Sequence, residues 1–124
     1  MESIYNYIDG NLVAPDSGKY LNNYNPSSGE VYSLIPDSND NDINNAVSAA
    51  KEAFKTWSKT TKQYRSDILI KIADKLEEYA EDLIIAESLD NGKPESLARA
   101  VDIPRAPENF RFFATAILHF SSED

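Results

Sequence analysis

Residues 97–120 read LARAVDIPRAPENFRFFATAILHF. This stretch decides the fold, because it holds three arginines, four of the five phenylalanines, the pair Pro104 and Pro107, and the only histidine. It predicts two helical segments hinged at Asp102-Ile103-Pro104. Proline has no amide proton to donate and its ring clashes with the preceding turn, so a helix beginning near Glu95 stops or kinks just before Pro104. Pro104 then suits the first turn of a new helix, with Asp102 placed to cap its free amides. Along that helix Ala106, Phe110, Phe113, Ala114, Ile117 and Leu118 fall near one face, an apolar stripe that needs cover. Whether the cover comes from this chain or from outside it decides the function.

Working outward, a long helical pattern begins near Lys62, with Ile68, Leu69, Ile72, Leu76, Tyr79, Ala80 and Leu83 spaced by three or four. Asn91-Gly92 closes it, since glycine accepts the left-handed conformation past a helix end, and Pro94 blocks continuation. Before the short polar link Ser58–Thr61 lies another helix. Ser38 or Asn39 can cap it, Asp40 and Asp42 suit its positive end, and Ile43, Val47, Ala50, Phe54 and Trp57 mark its buried face. The first 36 residues instead carry strand signals. Asp9-Gly10-Asn11 separates Tyr5 to Ile8 from Leu12 to Val13, and Asn25 to Gly29 separates Tyr20 to Tyr24 from Val31 to Ile35. The expected order is β-hairpin strands over about 4–36 and several α-helices over about 39–120, with no linker long enough to split the chain.

Composition excludes several function classes. A net charge of −9 repels phosphate backbones and anionic lipid, so neither nucleic acid nor a membrane is an expected partner. Cysteine is absent, which removes disulfides, thiolate metal sites and a cysteine nucleophile within these residues and is compatible with a reducing compartment. The N-terminus lacks the charged and apolar regions of a signal peptide, and no segment approaches the length of a membrane span. A cytoplasmic, soluble chain is expected.

The chemical inventory is thin. The four glycines lie at turns or helix ends, without a phosphate-cradling pattern. His119 has no serine, cysteine or clustered acid to pair with, so a helix-end histidine is expected. Glu77, Glu78, Glu81 and Asp82 read as a solvated helix face, because no histidine interleaves with them. Arg99, Arg105 and Arg111 could hold an anion, but their spacing spreads them around a helix, which favours ion pairs with neighbouring acids.

Five motifs carry a resemblance: YIDGNLV from Tyr7, YNPSSGEVYSLIP from Tyr24, DINNAVSAAKEAFKTW from Asp42, ESLDNGKP from Glu87 and DIPRAPENFRFFA from Asp102. In this order and at these spacings they resemble the N-terminal part of the aldehyde dehydrogenase superfamily, from Tyr7 to about Ser122. LARAVDIPRAPENFRFFA is most similar to the branch that oxidises 2-aminomuconic and 2-hydroxymuconic 6-semialdehydes. The resemblance implies an α/β parent with a Rossmann-like cofactor domain, a catalytic domain and an oligomerisation hairpin. Residues 1–124 would supply the strands and the helices that pack on the cofactor domain.

For that parent the resemblance implies NAD- or NADP-dependent oxidation in a homodimer or homotetramer. A cysteine thiolate attacks the aldehyde, hydride passes to nicotinamide, and a water activated by a glutamate releases the acid. The family's Pro-Trp-Asn motif, oxyanion-hole asparagine, nucleotide-binding strands, glutamate base and cysteine match no position here. No catalytic or cofactor-binding residue is therefore expected in this chain, and alone it is expected to be inactive. Some family members hold a monovalent cation with two backbone carbonyls before the Asn-Pro turn and an aspartate in the helix hinge. Those positions match Asn23, Tyr24 and Asp102, whose oxygens suit a hard cation. A helix cap is the favoured role for Asp102, and the two roles are not exclusive. The alternatives to a dehydrogenase segment are a stand-alone interaction module using the Phe110–Phe120 helix face, and an autonomous helical domain unrelated to redox chemistry.

Overall fold

The computed structural model describes residues 2–121. The chain divides after Lys59 into two compact units, at the polar link that the sequence reads as a connection within one domain. Ser122, where the resemblance ends, lies outside the described residues.

In the first unit, β2 (Asn6–Ile8) and β3 (Asn11–Val13) pair antiparallel. Asp9 and Gly10 make the two-residue turn with φ of 52° and 77°, the positive values that a type I′ hairpin needs and that Asp-Gly accepts at low cost. β4 (Tyr20–Tyr24) and β5 (Val31–Pro36) form the second antiparallel pair, around a turn in which the Gly29 amide donates to the Asn25 carbonyl at 2.7 Å. A further strand, β1 (Glu2–Ser3), runs parallel to β5 and gives the order β1-β5-β4. Two residues are too few to show an alternating period, so the sequence does not reveal it.

Helix α1 (Asp40–Trp57) starts at a capping box. The Asn39 side chain accepts the Asn41 and Asp42 amides at 2.9 and 3.2 Å, and Asp42 Oδ2 accepts the Asn39 amide at 2.9 Å. Asn39, not Ser38, is the cap. The second oxygen of buried Asp42 accepts the Asp16 amide at 3.0 Å, so the carboxylate leaves water with partners in place. The apolar face expected to be buried differs from expectation: Ile43, Val47, Ala50, Phe54 and Trp57 are all exposed. β2 and the Asp9-Gly10 turn share a cleft with Ala46, Ala49, Ala50 and Ala53 of the helix.

The second unit is helical. The long pattern from Lys62 is two helices, α2 (Lys62–Glu78) and α3 (Ala80–Asn91), parted at Tyr79 with φ −101° and ψ 18°. No proline or glycine marks that break, and nothing in the local sequence explains it. Gly92 closes α3 as expected, left-handed at φ 76°, with its amide donating to the Ser88 carbonyl at 3.0 Å. The short α4 (Glu95–Leu97) leads through a single π turn, Ala98–Asp102, into α5 (Ile103–His119). Small residues let α2 and α5 approach closely: Ala73 and Ala114 are fully buried, and the buried Ser66 hydroxyl donates to the Ala114 carbonyl at 2.7 Å.

The hinge falls where expected: α5 starts at Ile103 with Pro104 in its first turn, and the chain enters it through the π turn, in which the Ile103 amide donates to the Ala98 carbonyl five residues back. In an α register the Pro104 ring would press on the Ala100 carbonyl and offer it no proton, and the wider turn relieves that contact. Asp102 is not a cap. It is itself helical, at φ −71° and ψ −50°, and makes no capping hydrogen bond; a chain entering α5 already wound has no free first-turn amides to satisfy. Along α5, Pro107 and Ala114 are buried, Ala106, Phe110 and Ile117 are half-buried, and Phe113 and Leu118 of the expected stripe are exposed.

Candidate functional site

The residues assigned to a cation by resemblance are divided between the units. Asn23 and Tyr24 end β4 in the first unit, and Asp102 ends the π turn in the second. At the end of β4 the ladder shifts register: Asn23 pairs with Ser33 but Tyr24 pairs with Val31. Tyr32 is the extra residue of a β-bulge, which places side chains that would alternate onto one side. Asn23 Nδ2 accordingly donates to both Tyr32 Oη at 2.9 Å and Ser33 Oγ at 3.1 Å. These contacts fix the backbone around the two carbonyls that the resemblance selects. The bulge itself carries no sequence signal of the glycine kind.

Asp102 is engaged by a lysine that the sequence reading passed over. Lys93 Nζ donates to Asp102 Oδ2 at 2.6 Å and lies 3.9 Å from Glu87 Oε1. The Lys93 and Asp102 side chains are 29% and 30% exposed, so their pairing is better shielded than an open surface bridge. The signal was present: Lys93 directly follows the left-handed Gly92 that turns the chain back.

Other described ionisable groups form side-chain pairs. Arg99 binds both oxygens of Glu81, with Nη2 at 2.8 Å from Oε2. Arg111 joins Glu77 at 2.7 Å and Asp74 at 2.9 Å, so it ties α5 to α2. The Arg99 hydrogen bond holds the Glu81 carboxyl below its ordinary value, and the hydrogen bonds to Glu77 and Asp74 raise Arg111. Asp16 lies low because the Asn41 and Asn39 side chains donate to it at 3.0 and 3.1 Å. Arg105 and His119 are exposed. Among the described residues no group of three or more His, Cys, Asp or Glu could hold a metal ion, and no helix is long and apolar enough to cross a membrane.

What the units do present is apolar surface. Phe54 on α1 is 63% exposed and Ile43 57%. On α5, Phe112 and Phe113 meet edge to face, with centroids 5.2 Å apart, and both remain exposed. Ile68, Ile72 and Leu76 on α2, Tyr79 at the break and Leu83 on α3 line an open apolar groove. Aromatic and branched residues concentrated in this way are typical of surfaces that meet other protein.

Comparison with known proteins bears on that surface. The model of the aldehyde dehydrogenase family matches residues 12–124. The 2-aminomuconic semialdehyde dehydrogenase of Homo sapiens is 48% identical over 118 residues, which is 95% of this chain and 24% of that protein. A long-chain-aldehyde dehydrogenase of an Acinetobacter species is 45% identical over 112 residues, 90% of this chain and 22% of that protein. Among solved structures, PnpE in complex with nicotinamide adenine dinucleotide aligns with a TM-score of 0.93 at 33% identity, over 97% of this chain and 25% of that one. The chain thus spans about a quarter of the length of the curated relatives it matches.

Proposed function

This chain belongs to the aldehyde dehydrogenase family, and we propose that it acts as the N-terminal scaffold of an enzyme that oxidises an aldehyde to a carboxylic acid with NAD. The observation that carries the reading is the exposed apolar face of α1, with Phe54 63% and Ile43 57% accessible. A face patterned for burial and left uncovered by its own chain is a docking face for the rest of an enzyme. NAD is favoured over NADP by the dinucleotide bound to PnpE. A muconic semialdehyde is the first substrate proposed, supported by DIPRAPENFRFFA and by the human relative. The Acinetobacter relative makes a long-chain aldehyde the competing substrate. A homodimer or homotetramer in the cytoplasm completes the proposal.

The residues described here do not fit a dinucleotide pyrophosphate. α1 and α3 open with acids, Asp40 and Asp42 in one and Glu81 and Asp82 in the other, and these would repel the phosphates. α5 continues from the π turn and α2 already gives its Tyr64 amide to Thr61 Oγ1. No step of the reaction is assigned to this chain; its part is to position other protein. An enzyme carrying this segment, expressed whole, should form NADH with a muconic semialdehyde faster than with a long-chain aldehyde. The 124-residue chain should form none and give no binding heat with NAD. Calorimetric NAD binding by the chain alone, or an intact enzyme inert toward every aldehyde tried, would refute the reading.

A monovalent cation held by the Asn23 and Tyr24 carbonyls and Asp102 is a separate proposal. Asp102 is the charged member of the set, and Lys93 donates to its Oδ2 at 2.6 Å. Replacing K+ by tetramethylammonium should lower the thermal midpoint of the intact enzyme but not of its Asp102→Asn variant. Equal midpoints in both salts for the unaltered enzyme would remove the site.

A further inference from the structure

We propose that Lys93 is a strap that selects the π turn ahead of α5, and thereby sets which face of α5 lies on α2. Pro104 disfavours an α turn at this point but does not choose what replaces it, since a chain meeting proline can equally end its helix. Lys93 supplies the choice. Its backbone is held on both sides: the amide donates to Asn91 Oδ1 at 2.8 Å and the carbonyl accepts from Ser88 Oγ at 2.5 Å. From that fixed origin its ammonium reaches across α4 to Asp102 Oδ2 at 2.6 Å.

Asp102 is the last residue of the π turn. Removing the one-residue excess of that turn would rotate everything on one side of it by about 100° relative to the other. The carboxylate would leave Lys93, or α5 would turn against α2. A slip of one residue along α5 would bring Phe113 or Thr115 to the place of fully buried Ala114, where the Ser66 hydroxyl already touches the carbonyl. Neither the phenyl ring nor the larger, branched threonine fits at a position with no free surface without moving the helices apart. The strap at one end of α5 and the close contact at its middle therefore demand the same register. This inference does not depend on the enzymatic reading.

Amide hydrogen exchange on the 124-residue chain tests it. A charge-assisted hydrogen bond of this kind protects its segment by about tenfold or more in exchange rate. Lys93→Met and Asp102→Asn should each speed exchange of residues 98–103 by about that factor and leave β4 and β5 unchanged, whereas Lys93→Arg should stay close to the unaltered chain. Unchanged exchange at 98–103 in Lys93→Met would overturn the proposal, as would Lys93→Arg exchanging as fast as Lys93→Met. Should Lys93→Met fail to fold, the charge-swapped double variant K93D/D102K decides: protection at 98–103 supports the strap, and its absence overturns it.

Discussion

Ser66→Ala probes the contact on which the second unit rests. The Ser66 hydroxyl donates at 2.7 Å to the Ala114 carbonyl between two buried positions, 4% and 0% exposed. A neutral hydrogen bond contributes about 1 kcal/mol net, and more is lost only when its removal strands a buried partner. Ala114 lies inside α5, where the helix itself offers its carbonyl a second donor four residues on, so the acceptor is not stranded. The void left by one oxygen is smaller than a methyl group and adds little. The expected loss is therefore about 1 kcal/mol, equivalent to roughly 4–8 °C in midpoint for a unit of this size. Urea unfolding of the chain, followed by the helical circular dichroism signal, should show a lower midpoint at unchanged slope. Ala114→Leu is the control in the other direction: with no free surface at that position, the added carbons should cost about 1–3 kcal/mol. A Ser66→Ala chain within about 0.3 kcal/mol of the unaltered one would refute the claim that this bond joins α2 to α5.

Asp42→Ala removes one half of the α1 capping box and the acceptor for the Asp16 amide; it should cost at least about 1 kcal/mol in urea unfolding, with Asn recovering part. Asp16 and Glu81 titrate lower when folded than their ordinary values of 3.8 and 4.5. Their contribution is therefore fully present above those values and is lost as pH falls through the lowered folded ones. Asp16→Asn and Glu81→Gln should flatten the acid limb of the stability curve, by a small amount that salt reduces because both groups are exposed. Phe54→Lys paired with Ile43→Lys should lower ANS fluorescence and self-association without changing helix content; an unaltered ANS signal would show that the α1 face is not the sticky surface.

Much of the backbone was legible because its signals are local. Asp9-Gly10 fixes a two-residue hairpin by tolerance of positive φ, Asn39 with Asp42 fixes a helix start, and Gly92 fixes a helix end. The misreadings occur where the outcome depends on groups distant in sequence. Pro104 announced trouble for a helix, but the π turn that answers it is held by Lys93, nine residues before Asp102. The Asn23 bulge depends on Tyr32 and Ser33 across the sheet. Tyr79 breaks a helix with no local mark at all. The spacing of Arg99, Arg105 and Arg111 favours ion pairs over a shared anion, and Arg99 and Arg111 form them while Arg105 is exposed; the partners, Glu81, Glu77 and Asp74, lie 18 to 37 residues away.

The burial of α1 is the most informative disagreement. Periodicity marks Ile43, Val47, Ala50, Phe54 and Trp57 as one inward face, and the structure leaves every one of them exposed. A random excess of surface apolar residues would not keep a three-to-four spacing through an 18-residue helix with a satisfied cap at its start. On the proposed scaffold reading the pattern is a partner surface through Val47, Phe54 and Trp57, while Ile43 and Ala50 of the same face also line clefts beside β2 within the unit. Ordinary surface mutations on a self-sufficient helix change stability by less than about 0.5 kcal/mol. Phe54→Ala should obey that limit in the 124-residue chain and exceed it several-fold in an intact enzyme, where removing a buried phenylalanine costs about 3–5 kcal/mol. An equal, small effect in both would mean that the face meets no enzyme, and the scaffold reading would fail with it.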